Sequence, residues 1–383
     1  MAGQIRDYTD SEARAALPCK WGAVPEGTLP AWVAEMDYAP ASAITAALNG
    51  AVGRGVLGYP PFGGHGPDGD LEAAFRGFAE RHWGWSLPAG ATTVVGDVVD
   101  GIRLALDHLC PPGPVVIPLP CYPPFREVVE LAGREARYVA LDPDAERAEL
   151  DLDAVRTAFD EGARTLLLCS PHNPWGRVFT RAELEAVRDL AAQYDARVVA
   201  DEIHAPLVLP GGAKFTPYLD VDPTGLSVLS HSKSFNTPGL KCAQLISLRD
   251  DDREAIAALP HSANHGWSVL GMIAGVAAWR DSDLWLLALR QRLDVLREDL
   301  SEHLAERLPQ ARMRPLEATY LAWIDLRAYG VSDPATLGRK HGVRVAPGHD
   351  YQPGLDGHVR LNIATSADRL EEIVTRLAKA LTA

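Results

Sequence analysis

From about residue 90 onward, short apolar runs alternate with amphipathic stretches along the 383-residue chain. The runs "ATTVV" (91–95), "PVVIPL" (114–119), "ARTLLLC" (163–169), "ARVVA" (196–200), "LSVLS" (226–230) and "CAQLISL" (242–248) read as strands. Their length and β-branched content fit strands buried on both faces. Between them lie helical patterns such as "TRAELEAVRDLAAQY" (180–194), opened by a Thr with an acid three residues on, the signature of a capping box. Strands apolar on both faces, alternating with helices, predict an α/β domain built on an open, mainly parallel sheet covered on both sides. After Trp279 the pattern changes. Residues 281–308 form one long amphipathic stretch, followed by strand candidates at 319–326 and 358–365 and a terminal helix. This predicts a smaller α+β domain. The expected division is a large domain over 51–280, a small domain over 281–383, and an amino-terminal segment, 1–50, that packs on the small domain. The cleft would lie between the two domains.

Charge narrows the function. Lys and Arg number 37 against 51 Asp and Glu, a formal charge of -14. Nucleic acid and anionic membranes select clustered positive charge, so neither is expected as a partner. The first fifteen residues carry no apolar run of the secretory kind. The most apolar window, "GWSVLGMIAGVAAW" (266–279), is too short for a membrane span and reads as a buried helix. Five scattered cysteines without a CxxC spacing read as reduced thiols of a cytoplasmic protein.

In an open α/β sheet, ligands bind beyond the carboxyl ends of the strands. Three strand candidates deliver polar residues there: Asp201 after "ARVVA", Asn173 in "SPHNPWG" after "ARTLLLC", and Ser230 and Lys233 in "SHSKSFNTPGLK". Taken singly, each has an ordinary explanation as a turn acid, turn punctuation, a cap or a surface lysine. A buried acid needs a partner, however, and a protonated pyridine nitrogen is one. Lys233 does not belong to a Walker loop, because Ser232 precedes it where that motif has Gly. "GHGPDG" (64–69) matches GxGxxG, but with no strand before it and Pro67 inside, it is expected to be a loop. His261 and His265 have no carboxylate or cysteine nearby in sequence, so no metal site is expected.

Taken together and in order, these stretches resemble the fold type I pyridoxal-phosphate (PLP) enzymes, the aspartate aminotransferase superfamily. "WVAEMDYAP", "GYPPFGG", "DEIHAPLVLPG", "FNTPGLKCAQLI", "EATYLAWIDL" and "VRLNIATS" resemble its cystathionine β-lyase-like carbon–sulfur lyase branch. The resemblance implies a role for each residue. Lys233 would hold PLP through an imine bond and, once released, move the substrate's α-proton. Asp201 would keep the pyridine nitrogen protonated. Asn173 and His204 would bond the ring's phenolic oxygen, and Tyr122 would stack on its face. Ser230, Ser232, Lys241 and the backbone amides of Val98 and Val99 would bind the phosphate. Arg360, together with Asn173, would bind the substrate carboxylate, Arg360 as a planar fork; the ordinary alternative for Arg360 is a salt bridge within the sheet. Tyr59 would reach the phosphate of a neighbouring subunit, making the active unit a homodimer with shared sites.

The sequence departs from the family's pattern at three places. Asp97 stands where many relatives carry glycine, and is expected to cap the following helix or turn away from the phosphate. His231 and Thr237 replace residues that are commonly small or apolar, which leaves specialised metabolism open. The expected reaction is α,β-elimination from cystathionine or a related cysteine thioether, giving pyruvate, ammonia and a thiol. An aminotransferase is the alternative. A PLP-fold binding protein without catalysis is a third reading, opposed by the presence of Lys233, Asp201, Asn173 and Arg360.

Overall fold

The apolar runs do become strands. In the computed structural model, which describes residues 4–60, 65–66, 69–142, 144–145, 147–211 and 214–382, seven of the described strands form one large sheet. Their spatial order is Thr92–Val95, Ala243–Ile246, Leu226–Leu229, Arg197–Asp201, Thr165–Cys169, Val115–Leu119 and Ala136–Ala140. Ala243–Ile246 runs antiparallel to both its neighbours and the other pairings are parallel. The central strands are buried along their whole length, as strands covered on both faces must be. Ala136–Ala140 escapes the hydrophobic pattern because it is an edge strand with only Val139 buried. The capping box at Thr180 and Glu183 opens the helix Arg181–Gln193.

A five-stranded sheet orders Leu29–Ala31, Val343–Pro347, His358–Asn362, Leu321–Asp325 and Arg312–Met313. The helix Asp283–Arg307 presents Leu286, Leu289, Leu293, Leu296, Leu300 and Leu304 to the core. Leu29–Ala31 pairs in parallel with residues 343–345. The amino-terminal segment therefore adds an edge strand to this sheet, which a three-residue stretch centred on Pro30 does not announce. Its next helix, Ser42–Gly53, packs instead along Val269–Asp281, the buried helix of the apolar window.

One helix sets the geometry of the cleft. Val98–His108 packs so closely on the sheet that a Cβ at Gly101 would lie 2.6 Å from Val228 Cγ1. Glycine allows that approach, and it fixes the helix's amino end beside the strand ends. Residues 61–64 and 67–68, which include most of "GYPPFGG" and part of "GHGPDG", lie outside the described residues. Among the described residues no helix is long and apolar enough to cross a membrane. His261 and His265 stack loosely at 5.5 Å between ring centroids, and no group of three potential metal ligands occurs among the described residues.

Candidate active site

Sheet register assembles the site. Cys169 pairs with Asp201, and Asp201 with Val228, so three adjacent parallel strands end level with one another. The loops that leave them carry Asn173, His204 and Lys233 to one edge. There a cavity of about 240 Å³ is lined by Asp97, Val98, Val99, Tyr122, Asn173, Asp201, His204, Ser232, Lys233, Lys241 and Arg360, together with Val33, Ala34 and Cys169. Tyr59 is not on this wall; its side chain is 98% exposed.

The Lys233 side chain is partly open to the cavity, yet its amine sits among protein atoms. Burial, reinforced by the Arg360 guanidinium, lowers its pKa to about 8. The amine donates to the Ala34 carbonyl at 3.2 Å, as does the Tyr320 hydroxyl at 3.0 Å. A lysine with a lowered pKa is a better nucleophile and proton carrier near neutrality. Its loop is clamped from inside. His231 and Thr237 are both buried and hydrogen-bond each other at 2.7 Å, while the Thr237 N–H donates to the Ser232 carbonyl at 2.9 Å. The two departures from the family's pattern thus form one contact that closes the turn around Lys233.

Asp201 is buried at the end of its strand and makes no ion pair among the described residues. Among the described residues its carboxylate accepts one hydrogen bond, from the Ile203 N–H at 3.0 Å. Burial pushes its pKa up to about 7. A folded-state pKa above the usual value of 3.8 means that ionising Asp201 opposes folding. In cofactor-free protein this contribution costs stability as pH rises from about 4 to about 7. Replacing Asp201 with Asn should therefore flatten the fall in thermal midpoint across that interval, as scanning calorimetry at several pH values would measure. A wild-type profile parallel to that of the variant would contradict it. His204 is also buried, and burial drops its pKa to about 3. The ring is neutral, and its Nδ1 has no hydrogen-bond partner. A buried, unpartnered ring nitrogen on a cavity wall marks a place for a ligand atom.

Arg360 is 4% exposed. It donates to Asn173 Oδ1 at 3.1 Å and to the Trp32 carbonyl at 2.8 Å, its guanidinium lies 4.9 Å from the Tyr351 ring centroid, and its Nε has no partner. Among the described residues no carboxylate pairs with it, so the salt bridge within the sheet is not its role. A buried guanidinium without an anion is costly to keep, and its fork faces the cavity.

On the wall of the same cavity, Val98 and Val99 open their helix, where backbone N–H groups lack intrahelical partners. Asp97 caps the helix, accepting from the Asp100 N–H at 2.9 Å, and forms an ion pair with Lys241. Ser232 lies on the cavity wall. Ser230 does not line it: its hydroxyl donates to the Cys242 carbonyl at 2.7 Å and accepts from the Ser232 N–H at 3.1 Å. Here the serine holds the loop.

Sequence reasoning also left out part of the wall. Ala34 acts through a backbone carbonyl, which no residue type signals. Cys169 is the last residue of an apolar strand, and only sheet register brings it beside Asp201. The strap 32–38 crosses between the sheets. Asn362 Nδ2 donates to the Val33 and Glu35 carbonyls at 2.7 Å each, and Asn236 bonds the Met36 N–H and carbonyl at 2.9 and 2.8 Å.

The aminotransferase class I and II sequence model matches residues 33–377. This chain belongs to the aminotransferase class I and II family. Within the family it is 35% identical over 368 residues to a cystathionine β-lyase of Corynebacterium glutamicum, covering 94% of this chain and 96% of that one. It is 32% identical over 364 residues to the cystathionine β-lyase PatB of Bacillus subtilis, covering 92% of each chain. A structure from Corynebacterium diphtheriae, provisionally identified as a PLP-dependent β-cystathionase, superimposes with a TM-score of 0.93 at 34% identity, covering 99% of this chain and all of the other. The family match spans the seven-stranded sheet, four of the five strands of the smaller sheet and every cavity residue named above.

Proposed function

We propose that this family member is a PLP-dependent carbon–sulfur β-lyase that cleaves cystathionine or a related cysteine thioether. The observation that carries the reading is the make-up of the cavity. A lysine of lowered pKa, a buried acid without a cation and a buried guanidinium without an anion all face the same space. Each lacks what PLP and an amino acid bring: an aldehyde, a protonated ring nitrogen and a carboxylate. The unpartnered Nδ1 of His204 and the free amides at Val98 and Val99 fit the ring oxygen and the phosphate in the same way. Names given to relatives over nearly the full chain length favour elimination over transamination.

When bound, PLP supplies a ring that withdraws the electrons left by loss of the α-proton. The chain's residues do the rest. Arg360 binds the α-carboxylate and, with Asn173 beside it, orients the α-carbon. Lys233 Nζ takes the α-proton. Asp201, ionised once it has a cationic partner, would keep the ring nitrogen of bound PLP protonated. Tyr122 would cover the ring face. The thioether's carbon–sulfur bond then breaks, sulfur leaves with the bonding electrons and becomes a thiol by taking up the equivalent of the proton that Lys233 removed, and water completes the conversion of the remainder to pyruvate and ammonia.

Tyr59, with Leu57 at 68% exposure and Val52 at 52%, forms an uncovered apolar stretch. In this proposal it meets a second copy and Tyr59 completes that copy's phosphate site, so the active unit is a homodimer. Incubation with cystathionine and cysteine conjugates, with and without 2-oxoglutarate, tests the reaction. Pyruvate and ammonia in equal amounts without the oxo acid are expected. Product that forms only with the oxo acid would make the protein an aminotransferase.

A further inference from the structure

Asp97 and Lys241 are 144 residues apart in sequence yet pair across the phosphate end of the cavity. Of the three cations lining this cavity, Lys233, Lys241 and Arg360, Lys241 is the one that pairs with a carboxylate of the same wall, and its backbone takes the left-handed conformation, φ 46°. Its ion pair is part-exposed, at 57% and 35% for the two side chains. Such pairs are weak, so Lys241 is able to turn towards another anion. Asp97 is not free in the same way. One carboxylate oxygen is held by the Asp100 N–H, and the positive end of the helix favours a negative charge in that position. Asp100, which also feels the Asp97 charge, adds a second carboxylate behind it.

We infer that Asp97 loosens this chain's hold on its cofactor, because its fixed carboxylate shares Lys241 with the phosphate and repels it. The inference rests on the proposed PLP site. The helix end alone does not carry it; the unpartnered Nδ1 of buried His204 independently marks the same cavity as a ligand site. A phosphate seated on the Val98 and Val99 amides meets one lysine and one acid, where glycine at residue 97 would leave it the lysine alone. The consequence is a cofactor that exchanges with solvent, so that the loaded fraction of the protein follows the supply of PLP.

The test titrates PLP into cofactor-free wild type and Asp97→Asn, read by tryptophan fluorescence and by absorbance of the bound chromophore. Asparagine keeps the helix cap and removes only the charge. PLP should bind Asp97→Asn about tenfold more tightly at low salt, and inorganic phosphate should compete better with it, because one unit of nearby repulsion is gone. The gap should narrow as salt screens this part-exposed site. Equal or weaker binding by Asp97→Asn, with wild type loaded normally, would overturn the inference and leave the cofactor reading standing. Failure of both proteins to bind PLP, with no borohydride-trapped adduct on Lys233, would overturn both.

Discussion

Lys233→Ala will leave the protein folded and without measurable lyase turnover. On the proposed mechanism, the substitution removes both the group that bonds the cofactor and the base that moves the α-proton. Proton transfer by a positioned side chain alone contributes about 10²–10⁴-fold, and covalent anchoring adds to it. The loss should therefore reach about 10⁴-fold. Stability should not fall with it. The amine is held at a pKa of about 8 by burial, so its charged form is disfavoured and its removal relieves the folded state. Ala34 keeps the Tyr320 hydroxyl as a donor. Borohydride reduction followed by peptide mass analysis would read the anchor directly: wild type retains a cofactor adduct on the peptide containing residue 233, and the variant does not. Turnover within tenfold of wild type would remove Lys233 from the chemistry.

Arg360→Lys will separate binding from turnover. Lysine keeps the charge and loses the planar fork, and the two are not equivalent where two parallel hydrogen bonds meet a carboxylate. It also strands the Trp32 carbonyl and Asn173 Oδ1, the two acceptors that Arg360 now satisfies. Breaking one side of a buried charged contact costs about 2–5 kcal/mol. We expect kcat/KM to fall by about 10²-fold or more, with KM taking much of the change. Steady-state kinetics on one thioether over a range of concentrations would show it. A KM within twofold of wild type would mean that the carboxylate binds elsewhere.

How far the sequence reaches is visible in particular residues. Asp201, Asn173 and Lys233 were legible because parallel strands must end on one edge, and the residues following each strand are then neighbours whatever lies between them. The helix at Val98 was legible because an Asp before an apolar-periodic run is a cap. Edge elements were not. Ala136–Ala140 buries only Val139, and Leu29–Ala31 is three residues long with a proline at its centre. Orientation was not legible either. A serine at residue 230 is readable as a hydroxyl near the site, but only packing turns it onto the Cys242 carbonyl. His231 and Thr237 looked like two separate oddities, and their meaning as one contact required the loop to fold back on itself.

The strap from Trp32 to Tyr38 has a practical meaning for anyone who handles this protein. Its carbonyls receive Lys233, Arg360 and Asn362, so residues 32–38 are masonry of the reaction chamber. Shortened forms that start beyond them would keep the large sheet and lose one side of the room in which chemistry happens.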